Sequence, residues 1–239
     1  MGTLSWLFKP FIEKRAEKKR LKAPASFQAL KELKSIKGNL KDFESFLLKS
    51  GKIGIIVGAR GSGKSALGMR ILENIEAKTH RPVCVLGFNP RKIPKYMKLI
   101  SNLEEVPNNS FLLVDESGIS FSSRSSMSNA NKLLTELILI SRHKNISIIF
   151  ITQNSANIEI NTLRQADYLL LRKSSLLQLD FERKKIKDIY EAVEELFLKF
   201  KDDLGLTYIY SDVYRGFISN TMPSFWSESL SKSFSEAKI

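Results

Sequence analysis

The sequence predicts a three-layer α/β domain with a mainly parallel sheet. Three observations carry that expectation. Apolar runs recur at 53–57, 82–88, 111–114, 146–152 and 167–171, apolar on both faces, as strands buried between helix layers must be. Helix-favouring stretches at 64–77 and 129–142 lie between such runs, and strands alternating with helices pair in parallel through crossovers. A glycine-rich turn, Gly58-x-x-x-x-Gly63-Lys64-Ser65, joins the first run to the first of these helices.

Length and composition bound the reading. The 239 residues fit one such domain with appendages, and 43% hydrophobic residues is ordinary for a soluble globular chain. A net charge of +13 favours an anionic partner, nucleic acid or an anionic membrane surface. Cys84, the only cysteine, lies in the run Val83-Cys84-Val85-Leu86 and predicts a buried strand residue, with no intrachain disulfide and a reducing compartment. His80 and His143 lack cysteine partners, which argues against structural zinc. No run approaches the roughly 18 apolar residues of a transmembrane helix. The apolar start, Leu4 to Phe8, is too short for a signal segment.

Residues 1–50 read as a basic helical extension. Residues 1–41 hold eleven Lys/Arg and three Asp/Glu, and so supply eight of the thirteen net charges. Trp6, Leu7, Phe8, Phe11 and Ile12 form an apolar cluster, and 13–22 is charged and helix-favouring. Pro24 breaks it, Ser26 caps a helix predicted over 27–36, and a further helix over 40–48 gathers Phe43, Phe46 and Leu47 on one face. Three readings of this extension stand side by side. It packs on the core or a neighbouring subunit, it anchors aromatics and basic residues at a membrane surface, or it lies as a basic arm on DNA.

Residues 51–175 form the predicted core. The turn after 53–57 is the phosphate-loop pattern: its glycines bring the backbone close to a ligand, and its amides meet phosphate oxygens at a helix N-terminus. The candidate nucleotide-binding segment is Gly58, Ala59, Arg60, Gly61, Ser62, Gly63, Lys64, Ser65 and Ala66. Lys64 reaches the β- and γ-phosphates, and Ser65 places its hydroxyl on Mg²⁺. A second strand over 82–88 leads into an irregular basic connection with Arg91, Lys92 and Lys95. The run Phe111-Leu112-Leu113-Val114 then ends in Asp115-Glu116, a Walker B pattern. Asp115, at the carboxyl end of its strand, is the expected Mg²⁺ partner through the metal's waters, and Glu116 can orient or deprotonate the attacking water.

Glu116 narrows the class. P-loop GTPases usually lack a glutamate there and carry Asn-Lys-x-Asp, whereas Asn131-Lys132-Leu133-Leu134 has no aspartate. Neither an ABC-transporter signature nor a small-molecule kinase lid is evident. There remain the P-loop ATPases with a catalytic glutamate and an added strand between the Walker A and Walker B strands. Ser117 to Asn129 is serine-rich with Gly118 and Arg124, and reads either as a loop sensing ATP and touching DNA phosphates or as a surface loop.

The stretch 140–153, from Ile140-Ser141-Arg142 through the apolar strand to Thr152-Gln153, discriminates most. With Leu163-Arg164-Gln165-Ala166-Asp167-Tyr168 after it, the arrangement over about 52–172 resembles the FtsK–HerA superfamily of DNA-pumping ATPases. It is similar to genome-packaging ATPases of membrane-containing double-stranded DNA viruses, and to the Zot-like ATPases of filamentous phage assembly. The resemblance implies a RecA-like (ASCE) P-loop NTPase core that hydrolyses ATP with Mg²⁺ in a homo-oligomeric ring, usually a hexamer, to move double-stranded DNA. In that setting Gln153 lies beside Walker B at the γ-phosphate as an uncharged sensor; the competing reading is an ordinary polar residue ending a strand. The resemblance also implies an arginine inserted by a neighbour, with Arg142 favoured over Arg124 and Arg164; the competing reading of Arg142 is a helix C-terminal cation. The same resemblance places the chain in the host cytoplasm, on the virion or at a membrane periphery, with the N-terminus a candidate capsid-vertex or membrane contact. Typical Zot-like proteins carry a transmembrane helix, which favours the packaging branch.

Residues 176–239 read as a C-terminal appendage. An amphipathic helix is predicted over 180–200, with Phe181, Ile189, Val193, Leu196 and Phe200 near one stripe. A β-hairpin over 206–210 and 216–220 follows, then a short final helix from Pro223 with Phe225, Trp226 and Leu230.

Overall fold

In the computed structural model, nine strands among the described residues form one sheet. It describes residues 20–88, 93–116 and 127–227, and of 127–133 the backbone only. The strands are β1 (Lys31–Gly38), β2 (Ile53–Val57), β3 (Val83–Leu86), β4 (Met97–Leu99), β5 (Phe111–Asp115), β6 (Ser147–Thr152), β7 (Tyr168–Leu171), β8 (Leu206–Ser211) and β9 (Tyr214–Ser219). The helices are α1 (Leu40–Leu48), α2 (Lys64–Thr79), α3 (Met127–Lys144), α4 (Ile160–Arg164), α5 (Leu176–Asp180), α6 (Lys184–Glu191) and α7 (Glu194–Lys199).

The strand order is β1-β9-β8-β7-β2-β6-β5-β3-β4. From β7 to β4 every neighbouring pair is parallel, and β8, β9 and β1 add on antiparallel. Strand β6 separates the phosphate-loop strand β2 from the Walker B strand β5, the inserted-strand order expected of the ATPase class. Two apolar clusters lie on the two faces. Ile56, Val85, Leu113 and Ile151 pack under α1 and α2, whereas Ile55, Cys84, Val114 and Phe150 pack under α3 and α6. That alternation makes three layers, and Cys84 is fully buried within it.

Two expected helices are corrected. The helix predicted over 27–36 is absent, and β1 occupies 31–38, paired with β9 from Lys31↔Ser219 to Gly38↔Tyr214 through two register shifts. Isolated short helices are marginal in water, whereas β9 offers a whole row of unpaired backbone groups. Its lysines and bulges then blunt the new edge. The helix predicted over 180–200 is instead broken into α5, α6 and α7. The break at 181–183 follows Glu182, a buried carboxylate that accepts hydrogen bonds from the Ser155 amide (2.9 Å), the Ser155 hydroxyl and the Arg183 amide (3.1 Å). The second break follows Val193, whose φ of −128° is not helical.

The expected irregular connection after β3 contains β4, parallel to β3, while its residues 89–92 lie outside the described part. Residues 1–19 with their aromatic cluster, residues 117–126 with Arg124, and Leu230 also lie outside it. Of the final helix the structure describes only a turn at 224–225, with Phe225 edge-on to Tyr96. The sheet passes through all three sequence-defined segments, so the extension and the appendage are built onto the core as further strands.

Candidate nucleotide site

The site is assembled where β2, β6, β5 and β7 end. Val57 pairs with Thr152 and with Leu171, and Asp115 with Ile151, so all four strands deliver their last residues to one edge. Between β2 and α2 the chain makes the phosphate loop. Gly63 is the N-cap of α2 in the left-handed region, φ +87°, where a residue with a Cβ is strained. The first amides of α2, from Lys64 on, have no carbonyl a turn earlier to receive them and face the loop. The Ser62 amide donates to the Ala59 carbonyl at 3.1 Å, and the Ala59 amide to the Lys173 carbonyl at 3.0 Å, which ties the loop to the exit of β7. Arg60 and Gly61 are exposed at its tip, and Ala66 is buried beneath it.

Lys64 is 8% exposed, and its ammonium donates to the Gly58 carbonyl at 2.8 Å and the Ala59 carbonyl at 2.9 Å. Burial pushes its pKa down to about 8; Asp115 and Glu116 pull it back up, and the charge of Arg172 pushes it further down. The Ser65 hydroxyl donates to Asp115 Oδ2 at 3.2 Å. This hydroxyl and carboxylate are the hard oxygen donors that Mg²⁺ takes, and among the described residues no cluster of three His, Cys, Asp or Glu offers a fuller cage. Two protein oxygens fit an ion that keeps several waters and shares phosphate oxygens.

Glu116 is half-buried one residue past β5. Burial raises its pKa, hydrogen bonds with Thr152 and Asn157 lower it, Asp115 raises it and Lys64 lowers it. Thr152 and Asn157 were not singled out by sequence. Thr152 carries a signal in being the polar last residue of an apolar strand; Asn157, in a 3-10 turn, carries none. Gln153 stands just beyond the carboxyl ends of β2 and β5, exposed, with its backbone carbonyl accepting from the Gln178 side chain.

The arginines lie elsewhere. Arg142 is in the last turn of α3, ahead of β6, and so at the opposite edge of the sheet from the phosphate loop. It is exposed and donates to Gln165 Oε1 at 3.0 Å. Arg164 ends α4 at that same far edge, ahead of β7. The arginine that does touch the loop is Arg172, which sequence reasoning passed over: its Nε donates to the Ser62 carbonyl at 2.6 Å.

Residues 68–173 match the family model of the zonular occludens toxin, Zot. This is less than half of the chain; it starts just after the phosphate loop and includes Asp115, Glu116 and Gln153. No curated protein matches the chain. Among solved structures, B204, the DNA-packaging ATPase from Sulfolobus turreted icosahedral virus, is 18% identical with a TM-score of 0.49, over 73% of this chain and 99% of that one. The genome packaging NTPase B204 from Sulfolobus turreted icosahedral virus 2, in complex with ATP-gammaS, is 17% identical with a TM-score of 0.45, over 72% and 98%. A KaiC-like protein from Pyrococcus horikoshii OT3 is 9% identical with a TM-score of 0.41, over 61% and 82%. The fold class rests on the strand order itself. Strand order and site together are those of a P-loop ATPase.

Proposed function

We propose that this chain is an ATP-driven DNA translocase, a viral genome-packaging ATPase that hydrolyses ATP in a ring and pumps double-stranded DNA. The observation that carries the hydrolytic part is Glu116, held by Thr152 and Asn157 beside the Ser65–Asp115 pair. In this reading Lys64 trades its two carbonyls for β- and γ-phosphate oxygens. Ser65 and Asp115 would hold Mg²⁺, which would neutralise charge on those phosphates. Glu116 accepts the proton of the attacking water, its half-buried carboxylate held in place by Thr152 and Asn157. Gln153, at the same edge, orients that water or the γ-phosphate.

The ring is supported by two features at opposite edges of the sheet. Beside the phosphate loop, Leu176, Leu177 and Phe181 are 82%, 73% and 75% exposed, an apolar surface suited to a neighbour. At the far edge stands Arg142, which in a head-to-tail ring reaches the next subunit's γ-phosphate. The net charge of +13, concentrated in residues 1–41, supports DNA as the cargo.

The deciding experiment is ATPase turnover against added double-stranded DNA at rising salt. Stimulation at low salt that falls steeply as salt rises follows from phosphate contacts that release counterions. Turnover indifferent to DNA of any length at low salt rejects the translocase. The match to the Zot model favours a second reading, an ATPase for virion assembly or secretion at a membrane. It predicts flotation with anionic liposomes that depends on residues 1–22, and equal partitioning without them removes it. Among the described residues no helix is long and apolar enough to cross a membrane.

A further inference from the structure

Arg172 stands against the phosphate loop without a part in the chemistry above. It follows β7 directly and is 4% exposed. Its backbone belongs to the loop's foundation: the Arg172 amide donates to the Val57 carbonyl at 2.8 Å, and the Tyr190 hydroxyl of α6 donates to the Arg172 carbonyl at 2.8 Å. Its guanidinium faces two ways. Nε donates to the Ser62 carbonyl, in the middle of the phosphate loop. Nη1 and Nη2 donate to the C-terminal hairpin and its approach: to the carbonyls of Leu206 at 2.7 Å and Leu204 at 2.6 Å, to Thr207 Oγ1 at 3.0 Å and to Asn220 Oδ1 at 3.3 Å.

The side chain also shapes the loop sterically. A Cβ on Gly63 would stand 2.7 Å from Arg172 Nη2, and one on Gly58 2.6 Å from Arg172 Cβ. A side chain at either glycine would therefore have to displace this arginine. On the hairpin side, Asp203 accepts from the Gly205 amide at 2.7 Å and the Ser219 hydroxyl at 2.8 Å, which fixes the carbonyls the guanidinium uses.

We propose that Arg172 is a positioning residue that locks the phosphate loop to the C-terminal hairpin, so that nucleotide binding and hairpin order are linked. The inference rests on the nucleotide-binding reading of the loop. The physics is that of a buried, rigid five-donor fork. If the hairpin moves, donors are left buried without acceptors; if Ser62 moves, the same penalty falls on Nε. Neither end shifts alone. By linkage, whatever the nucleotide does to the hairpin, ordering the hairpin does to nucleotide affinity by the same factor. Partners that grip the hairpin would thereby tune the site from outside it.

The test uses the full chain. Hydrogen exchange of residues 204–221 is followed with and without saturating Mg²⁺–ATPγS, and the Kd of a fluorescent ATP analogue is measured for a Thr207→Val/Asn220→Ala double variant. The side-chain hydrogen bonds of both substituted residues go to Arg172 and to the hairpin region, not to the loop. Exchange should slow when nucleotide binds, and the double variant should bind about 5–150-fold more weakly, the usual span of such coupling. Arg172→Lys, which keeps the charge and loses the fork, should abolish the nucleotide-dependent slowing. Hairpin exchange unchanged by nucleotide, or a double variant within twofold of the unmodified Kd, overturns the proposal. The exchange measurement needs no variant, so a misfolded mutant does not rescue it. A native chain that binds no nucleotide at all refutes the proposed function itself, which is a different result from binding without linkage.

Discussion

Burial holds the Lys64 ammonium near a pKa of about 8, against 10.5 for a free lysine, and the direction decides two opposite trends. For stability, the unfolded chain keeps its proton between those values while the folded one has lost it. Lys64 therefore costs stability fully below pH 8, and the cost is relieved as pH rises through that window. For binding, the charged form is the one that meets phosphate, so nucleotide Kd should be flat to about pH 8 and then rise by up to tenfold per pH unit. Titrating Kd from pH 6.5 to 9.5 reads this directly, and a flat profile to the top of that range contradicts the burial argument. At Glu116 a different split is expected. Glu116→Gln keeps the shape and removes the base, so turnover should fall by roughly 10²–10⁴ while Kd stays put. Thr152→Val removes one of the hydrogen bonds that hold the carboxylate and should lower kcat more mildly, again with little effect on Kd. Near-normal turnover in Glu116→Gln would take the glutamate out of the mechanism.

At the scale of elements, helix α2 does more than begin at a phosphate loop. Arg70 and Glu73 lie buried on it as an ion pair at 2.8 Å. Arg70 donates to the Ser26 carbonyl at 3.1 Å and the Thr221 carbonyl at 3.4 Å, while Glu73 accepts from the amides of Ser26 at 3.2 Å and Ser224 at 3.0 Å. One helix thus fastens the segments that lead into β1 and out of β9. Glu73→Ala strands a guanidinium in the core, which should cost about 3–5 kcal/mol and lower Tm by roughly 6–20 °C. Arg70→Met/Glu73→Leu, which removes both charges, should recover part of that loss in the same thermal melt. If the single variant melts within a degree or two of the native chain, the pair is not holding these segments. The elements also show what a sequence can say. The core strands were legible because a run such as Phe111-Leu112-Leu113-Val114 is short, apolar on both faces and preceded by a turn signal, as a strand buried on both sides is. Strand β1 was not, because Lys31–Gly38 has no buried face and owes its conformation to the open edge of β9. In the site, Gly58 to Ser65 and Asp115-Glu116 are local patterns and could be read directly. Asn157 and Arg172 meet their partners only through the fold, so no spacing announced them.

At the scale of the whole molecule, the residues of the proposed chemistry lie at two edges of one sheet. The carboxyl edge carries the phosphate loop, Asp115 and Glu116, and the amino edge carries Arg142. No rearrangement inside one subunit joins them across the length of the strands, so an Arg142 that takes part in hydrolysis must do so in a neighbour. Its hydrogen bond to Gln165 on an exposed surface is a cheap one to exchange for a phosphate contact. Arg142→Ala should therefore keep nucleotide affinity and stability while turnover falls by roughly 10³–10⁵, the range an arginine supplied across an interface is worth. Glu116→Gln should also be strongly impaired, for a different reason. Mixed in equal amounts and allowed to reassemble, the two impaired variants form some interfaces with an intact Glu116 on one side and an intact Arg142 on the other. Turnover should then reappear at a fraction of the native rate, dependent on total protein concentration. If size measurements show mixed rings and turnover stays absent, Arg142 is a cation closing the C-terminal end of α3, and the trans role passes to another arginine.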